Sequence, residues 1–359
     1  MNSNNKPLRV IQWATGTVGK LNIITCQENP AFELVGCYVY SADKAGQDAG
    51  VIAGIDPVGI ETTNNIDDIL KLDADVVIYA PLYDDVDEIC RILESGKNLV
   101  TPVGYTAIRD DSVKERIEQA CRKGKTSFHG SGIHPGFAGD RLPLVLSALS
   151  RRIDKVTVYE IVDMSNANES WELITAMGFD MPAEEASRTQ PPYLDQMSKT
   201  FFESIELVAR GLGIEIEEFE KQHEFAVARE EIRIPLELGG KKENVIHKGH
   251  VAGQHFSYLG KIGGKAVIDF QTYWKMTKEL DPDWPFDDAL AYYVIIDGEP
   301  PLRLDFTCGV EKGSFPYGLT CTAMNCMNSA AMIVKASPGI HTQLDLPLIT
   351  AHNAVNLDR

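Results

Sequence analysis

No stretch of this chain stays apolar for the roughly 20 residues that a bilayer-crossing helix requires, so no membrane span is expected. Positive charge is also scarce. The 34 lysines and arginines stand against 52 aspartates and glutamates, a formal net charge of −18. Nucleic acid needs a basic surface to neutralise its phosphates, and anionic membranes attract basic patches, so both partners are disfavoured. Paired-cysteine motifs are missing. The seven cysteines, at 26, 37, 90, 121, 308, 321 and 326, form no C-x-x-C and sit mostly in apolar segments. That pattern points to buried thiols in a reducing cytoplasm and not to a disulfide framework. Histidines are few, and only His247 and His250 are close together, in strand-like sequence. Side chains three apart on a strand face opposite sides, so no metal site is expected. Residues 1–7 are polar with no apolar segment behind them, so no secretory leader is expected. Repeats and low-complexity linkers are lacking too.

What remains is an ordinary globular composition, 44% hydrophobic and 24% charged, in 359 residues, long enough for two domains. Its most informative stretch is the start. A strand-like run at 8–13 (LRVIQW) enters a turn spelling A-x-G-x-x-G, and a helix-like segment at 21–27 follows. In that context the turn is a phosphate cradle. Gly16 admits a close backbone approach to a pyrophosphate, Gly19 packs the helix on the strand, and the helix N-terminus offers N–H groups and its positive dipole end. Ala14 replaces the usual first glycine. The cofactor contacts expected from the turn are Ala14, Gly16, Thr17, Val18 and Gly19.

Strand patterns recur at 33–40, 75–80, 98–101 and 126–129, with helical patterns at 66–71, 85–95 and 111–123 between them. Such alternation predicts a Rossmann-type doubly wound parallel sheet. Ala80, Pro81 and Thr101, at the carboxyl ends of two of these strands, complete the expected cofactor set. After the second strand, Tyr40-Ser41-Ala42-Asp43-Lys44 lacks an acid at the position that binds a ribose 2′-hydroxyl. Ser41 and Lys44 suit a 2′-phosphate, so NADP is expected. NAD stays open, because Asp43 is near and Lys44 reads equally well as a solvated loop lysine.

Past residue 150 the pattern changes. A long strand at 155–163 leads to a loop carrying Pro182, Pro191 and Pro192, then a helix at 193–212. Strands are expected at 225–234, 244–258, 265–275, 291–296 and 302–308, with tight turns at the glycine pairs 239–240 and 263–264. This is an α+β domain with a mostly antiparallel sheet. A final helix at 318–336 is expected to return to the first domain. The expected domains are therefore 1–150 together with 319–359, and 151–318.

A dinucleotide domain joined to a second domain suggests hydride transfer, which needs a proton donor beside the reacting carbon. Tyr105 follows the strand at 98–101, and His134, of a residue type able to donate a proton, follows the strand at 126–129. His134 equally fits as a cap for a helix beginning near Phe137. On the second domain's first strand, Glu160 and Asp163 suit a cationic amine or iminium, or are simply surface carboxylates. Asn166 is a candidate hydrogen-bonding group from the next loop, and Phe137 an apolar wall or core residue. The excess of acid favours cationic amines over polycarboxylates as the small-molecule substrate.

The block GSGIHPGF at 130–137, followed by Asp140 and Leu142-Pro143-Leu144, joins ATGTVG at 14–19, YSADKAGQDAG at 40–50 and SPGIHTQLDLP at 337–347. Together these resemble the dihydrodipicolinate reductase-like superfamily, in its branch of 2,4-diaminopentanoate dehydrogenases and native amine dehydrogenases. The resemblance implies a Rossmann domain, an open-sheet substrate domain, NAD(P)H, a homodimer, and hydride transfer to a C=N or C=O carbon. Two departures stand out. The glutamate that the amine dehydrogenases carry after the strand at 98–101 is replaced by Pro102-Val103-Gly104-Tyr105, and the family's asparagine before Pro-Gly-Phe is His134. Nor is the reductases' own His-His plus Lys signature recognisable. Three readings stay open: an NAD(P)H-dependent oxidoreductase of C=N or C=O carbons, a reductase of a larger apolar carbonyl or enone with no amine involved, and a non-catalytic dinucleotide-binding sensor.

Overall fold

In β1 (Leu8–Trp13) successive side chains enter two different cores. Val10 belongs to one, Ile11 and Trp13 to the other, and none of the three is exposed. That is the behaviour of a parallel strand covered on both faces. The computed structural model describes residues 6–165, 171–235, 243–309 and 314–355. They divide into two units, one running to Gly136 and resuming at Thr320, the other spanning Phe137–Leu319.

The first unit continues with α1 (Thr17–Glu28), β2 (Phe32–Tyr38), α2 (Ala49–Ala53), α3 (Ile66–Ile69), β3 (Val76–Tyr79), α4 (Val86–Glu94), β4 (Asn98–Thr101), α5 (Asp111–Gly124) and β5 (Ser127–Gly130). Its sheet has six strands in the order β15-β5-β4-β3-β1-β2, where the edge strand β15 (Gly339–His341) was not expected from sequence. All its pairings are parallel. On one face Ile89, Ile92 and Leu93 of α4 and Ile117 and Cys121 of α5 pack with Ile11, Val77, Leu99 and Phe128. On the other, Ile23 and Cys26 of α1 pack with Val10, Val76, Ile78 and Val100, and Cys326, Met327, Ala330 and Ile333 of the C-terminal helix complete that layer. The expected return of the last helix to the dinucleotide half is thus observed.

The second unit holds α6 (Arg141–Ser147), β6 (Arg152–Asp163), α7 (Trp171–Ala176), α8 (Ala183–Ala186), α9 (Pro192–Leu212), β7 (Glu218–Ala228), β8 (Ile232–Pro235), β9 (Glu243–Ile246), β10 (Val251–Ile262), β11 (Lys265–Lys275), β12 (Leu280–Asp281), β13 (Leu290–Glu299) and β14 (Leu302–Thr307). The last long helix is α10 (Phe315–Ile333). Seven strands form one sheet, ordered β12-β7-β10-β11-β6-β13-β14, antiparallel except between β6 and β11. α9 lies on one face, where Phe201 stacks on Tyr258 at 4.7 Å and meets Trp274 at 6.1 Å. α6 packs on α9, β6 and β13, so the first unit closes at Gly136 and not near residue 150.

Two expected strands break where a turn was overlooked. The run at 225–234 becomes the end of β7 and, separately, β8; the run at 244–258 becomes β9 and β10. His247 to His250 form the turn between the latter two, with Gly249 at φ +78°, a left-handed conformation that glycine adopts without steric cost. The inference that these histidines face opposite sides therefore fails. Gly263 and Gly264, at φ +57° and +74°, close the β10–β11 hairpin as expected. The glycine pair 239–240 lies outside the described residues.

Candidate dinucleotide site and active-site residues

The chain leaves β1 at Ala14, whose φ of +69° places it in the left-handed region where related turns use glycine. Its N–H donates to the Tyr38 carbonyl at 2.9 Å, tying the turn to the end of β2. Gly16 precedes α1 as its N-cap with φ −70° and ψ −175°, and a Cβ built on it meets nothing within 4 Å. A Cβ on Gly19 would lie 2.2 Å from the Ala14 carbonyl oxygen. The two glycines therefore act differently: Gly19 lets the helix seat against the turn, while Gly16 leaves open space at the helix entrance.

The other helices of this sheet show the contrast. Asp85 caps α4 by accepting from Asp87 N at 2.7 Å, and Asp110 caps α5 by accepting from Ser112 N at 2.9 Å. Gly16 brings no capping side chain to α1, and no acidic residue sits in its first turn. An anion at that helix N-terminus meets favourable N–H groups and dipole without a competing carboxylate. The turn fits a dinucleotide pyrophosphate.

Sequence reasoning missed the brace beneath this turn. Gln12 is fully buried; its Nε2 donates to the carbonyls of Trp13 and Ala14, both at 2.9 Å, and its Oε1 accepts from Asn22 Nδ2 of α1 at 2.9 Å. Two amides of ordinary type, ten positions apart, gave no pattern to find. Next to it, Trp13 stacks on Tyr38 at 4.1 Å and donates from Nε1 to Tyr40 Oη. The hydroxyls of Tyr40 and Tyr79 both donate to Glu88 Oε2, at 2.6 and 3.0 Å. Burial, with Glu88 beside them, holds both phenols well above their ordinary pKa, so they remain donors.

Of the other residues expected at the cofactor, Ala80, Pro81 and Thr101 lie at or just past strand ends. Thr101 Oγ1 donates to the Tyr79 carbonyl at 2.7 Å, Ala80 N donates to the Trp13 carbonyl at 3.1 Å, and Pro81 is buried beside it. Thr17 and Val18 are half-buried in the first turn of α1. After β2, Ser41 is exposed, and Lys44 reaches back so that Nζ lies 3.4 Å from Thr15 Oγ1 in the β1 turn. Those two loops are thereby brought together.

The loops after β4 and β5 are packed backbone on backbone. A Cβ on Gly130 would lie 2.3 Å from the Gly104 carbonyl oxygen and 2.4 Å from the Tyr105 carbonyl carbon. Tyr105 has φ +65°, is buried, meets Phe128 edge-on at 5.4 Å, and donates its hydroxyl to Asp84. Asp84 follows β3 and went unnoticed in the sequence, where nothing linked it to Tyr105. The half-buried His134 lies on the next loop, which Asn325 of α10 fastens by donating to the carbonyls of Gly132 at 2.7 Å and Gly136 at 3.2 Å. Gln343 Nε2 adds a bond to the Gly136 carbonyl at 2.9 Å.

The substrate candidates of the second unit are dispersed. Phe137 meets Phe306 at 5.9 Å. Glu160 is buried and accepts from Trp274 Nε1 at 2.8 Å, among the aromatic residues beneath α9. Asp163 lies three residues on along β6, an odd offset that turns its side chain to the other face, and it accepts from Ser165 N at 3.0 Å. Glu160 and Asp163 do not converge. Asn166 lies outside the described residues.

Comparison with known proteins agrees with this architecture. Residues 10–129 match the family model for the N-terminus of dihydrodipicolinate reductase, and residues 137–357 match the 2,4-diaminopentanoate dehydrogenase C-terminal domain. An amine dehydrogenase from Streptomyces virginiae is 26% identical over 358 residues, covering 95% of this chain and 96% of the relative. The solved structure of an amine dehydrogenase from Mycobacterium smegmatis superposes with a TM-score of 0.79 at 18% identity, covering 98% of each chain. GenD2 from gentamicin A biosynthesis, solved in complex with NAD, gives a TM-score of 0.56 at 13% identity, with 95% of this chain and 90% of that one covered. The C-terminal match spans more than half of the chain, so this protein belongs to the 2,4-diaminopentanoate dehydrogenase family, on a dihydrodipicolinate reductase-type fold.

Proposed function

We propose that this NAD(P)-dependent oxidoreductase moves hydride between its cofactor and a C=N or C–N carbon of a small amine or its imine. The observation that carries the reading is the uncapped entrance of α1 at Gly16, seated by Gly19, in a chain whose relative over nearly its full length is an amine dehydrogenase. Ala14 to Gly19 would hold the pyrophosphate, and Ala80, Pro81 and Thr101 would border the rest of the dinucleotide. A bound NAD(P)H supplies the hydride; the chain's own groups orient the substrate and handle its proton.

For that proton the reading favours the Tyr105 hydroxyl, hydrogen-bonded to Asp84, with His134 on the adjoining loop as second candidate. A phenol leaning on a carboxylate is oriented, and the carboxylate also favours a nearby cationic amine. This offers a carboxylate from the β3 loop where the family's glutamate after β4 is missing. Lys44 beside Thr15, and Ser41, support NADP over NAD. Seven scattered cysteines with no C-x-x-C among them fit a cytoplasmic enzyme, and a homodimer acting on a small molecule, without nucleic acid, completes the proposal.

The test is NADPH and NADH consumption with a panel of ketones and aldehydes, with and without concentrated ammonia. Turnover that requires ammonia is expected. Turnover equal in its absence would instead support the alternative, a reductase of a carbonyl or enone substrate. Binding of the dinucleotide with no turnover of any substrate would favour a sensor. Lys44→Ala should weaken NADPH by about tenfold more than NADH, one phosphate contact's worth. Equal losses would leave Lys44 a bystander.

A further inference from the structure

We propose that Asp180, His247 and His250 form a binding site for a divalent transition-metal ion of the zinc type. The three residues come from two separate segments of the second unit. Asp180 follows α7, and the histidines flank the turn between β9 and β10. The backbone brings these segments together. Asp180 N donates to the Val251 carbonyl, and Val251 N to the Met181 carbonyl, each at 2.9 Å, while Pro182 and His250 form an isolated bridge. Left-handed backbone at Asp180, φ +63°, and at Gly249, φ +78°, turns both segments so that their side chains meet.

One ring nitrogen from each histidine and one carboxylate oxygen lie within 4.8 Å of one another. Ligands about 2.0–2.1 Å from a tetrahedral zinc stand about 3.4 Å apart, so side-chain rotation alone closes the set. His247 Nδ1 lies 3.0 Å from Asp180 Oδ2, and the two rings are 5.2 Å apart between centroids. His250 Nδ1 lies 2.8 Å from the Asp180 carbonyl oxygen and 3.1 Å from Oδ1. The carbonyl bond orients the His250 ring beside the carboxylate, as outer hydrogen bonds do behind metal-bound imidazole.

The donor set chooses the metal. Two imidazoles and one carboxylate suit zinc, nickel or copper, whereas magnesium and calcium want oxygen alone. Side-chain exposures of 56% for His247, 30% for His250 and 26% for Asp180 leave room for water in the remaining position. Bound there, the ion would clamp the segment after α7 to the start of β10. All three ligands belong to the second unit, and the part argued for the ion is to hold these two segments together.

The experiment uses untagged full-length protein, stripped with a chelator and titrated with zinc chloride by calorimetry at neutral pH. One site per chain with micromolar or tighter affinity is expected. His250→Ala and Asp180→Asn should each weaken it by about 100-fold. His352→Ala, an exposed histidine elsewhere, should not change it. Thermal unfolding provides a second readout: zinc should raise the transition of the wild type and not that of His247→Ala, whose exposed side chain makes misfolding of the variant a minor concern. Millimolar binding, or equal affinity in the histidine variants, overturns the proposal and leaves a metal-free hydrogen-bonded cluster of Asp180 with its histidines.

Discussion

Substituting Gly16 and Gly19 one at a time separates binding from folding at the turn that defines this protein. Gly19→Ala would drive a methyl to 2.2 Å from the Ala14 carbonyl oxygen, with Gln12 Nε2 at 3.0 Å behind it. Both atoms belong to a fixed backbone and a buried amide, so the turn itself must move by about 1 Å. Overpacking of this kind costs up to about 3 kcal/mol, and replacing a helical glycine by alanine returns about 1 kcal/mol. The net destabilisation is about 2 kcal/mol, which for a unit of this size lowers the midpoint by about 4–8 °C. Because the displaced residue is Ala14, dinucleotide affinity should fall as well.

Gly16→Ala is the counterpart. Its φ and ψ suit any L-residue and its Cβ meets nothing within 4 Å, so stability should stay within about 0.5 kcal/mol of wild type. A methyl would nevertheless stand where a phosphate oxygen approaches the helix, and affinity should fall by about tenfold; Gly16→Asp, adding a charge, should abolish binding while the fold survives. Scanning calorimetry measures the first quantity and NADPH fluorescence quenching the second. Unchanged affinity in Gly16→Asp, or an unchanged midpoint in Gly19→Ala, refutes the assignment of the turn.

Other consequences are narrower. Gln12→Leu strands the Ala14 carbonyl and the Asn22 amide in a buried interior, at a cost of about 2–4 kcal/mol; a midpoint within about 2 °C of wild type, on the same calorimeter, would show that the brace is dispensable. His223, half-buried against Phe256 and bonded to Gln254, has its pKa held below the usual value chiefly by desolvation. Below pH of about 6.5 the unfolded chain takes up a proton that the folded chain refuses, so stability present at neutral pH should be lost as pH falls, less steeply in His223→Gln. Equal slopes for both proteins would remove His223 from the account. Burial pushes the thiols of Cys26, Cys37, Cys121 and Cys326 up to about 12, so a disulfide reagent at mildly alkaline pH should spare them in the native protein. Only Cys90 and Cys321 are half-buried, and all seven should titrate after denaturation; rapid native reaction of more than two would contradict the packing.

What the sequence determined by itself is the architecture and the dinucleotide turn. Both are written in local patterns: near-continuous apolar strands such as VVIY of β3, Asp at the caps of α4 and α5, and glycine where a helix must touch a turn. Such signals work because backbone sterics and burial act on neighbours in the chain. Where local signals conflicted, the reading slipped. β7 begins at Glu218 in a run rich in charge, and the turn at 247–250, His-Lys-Gly-His, interrupts an otherwise strand-like run. Only tertiary structure decided which distant groups meet. It set Gln12 beneath the turn with Asn22, Asp84 against Tyr105, Glu160 under Trp274 and Asp180 between two histidines. Each of these partners is an ordinary residue in its own segment, and its chemistry arises from proximity created by sheet order and loop packing, which no spacing along the chain encodes.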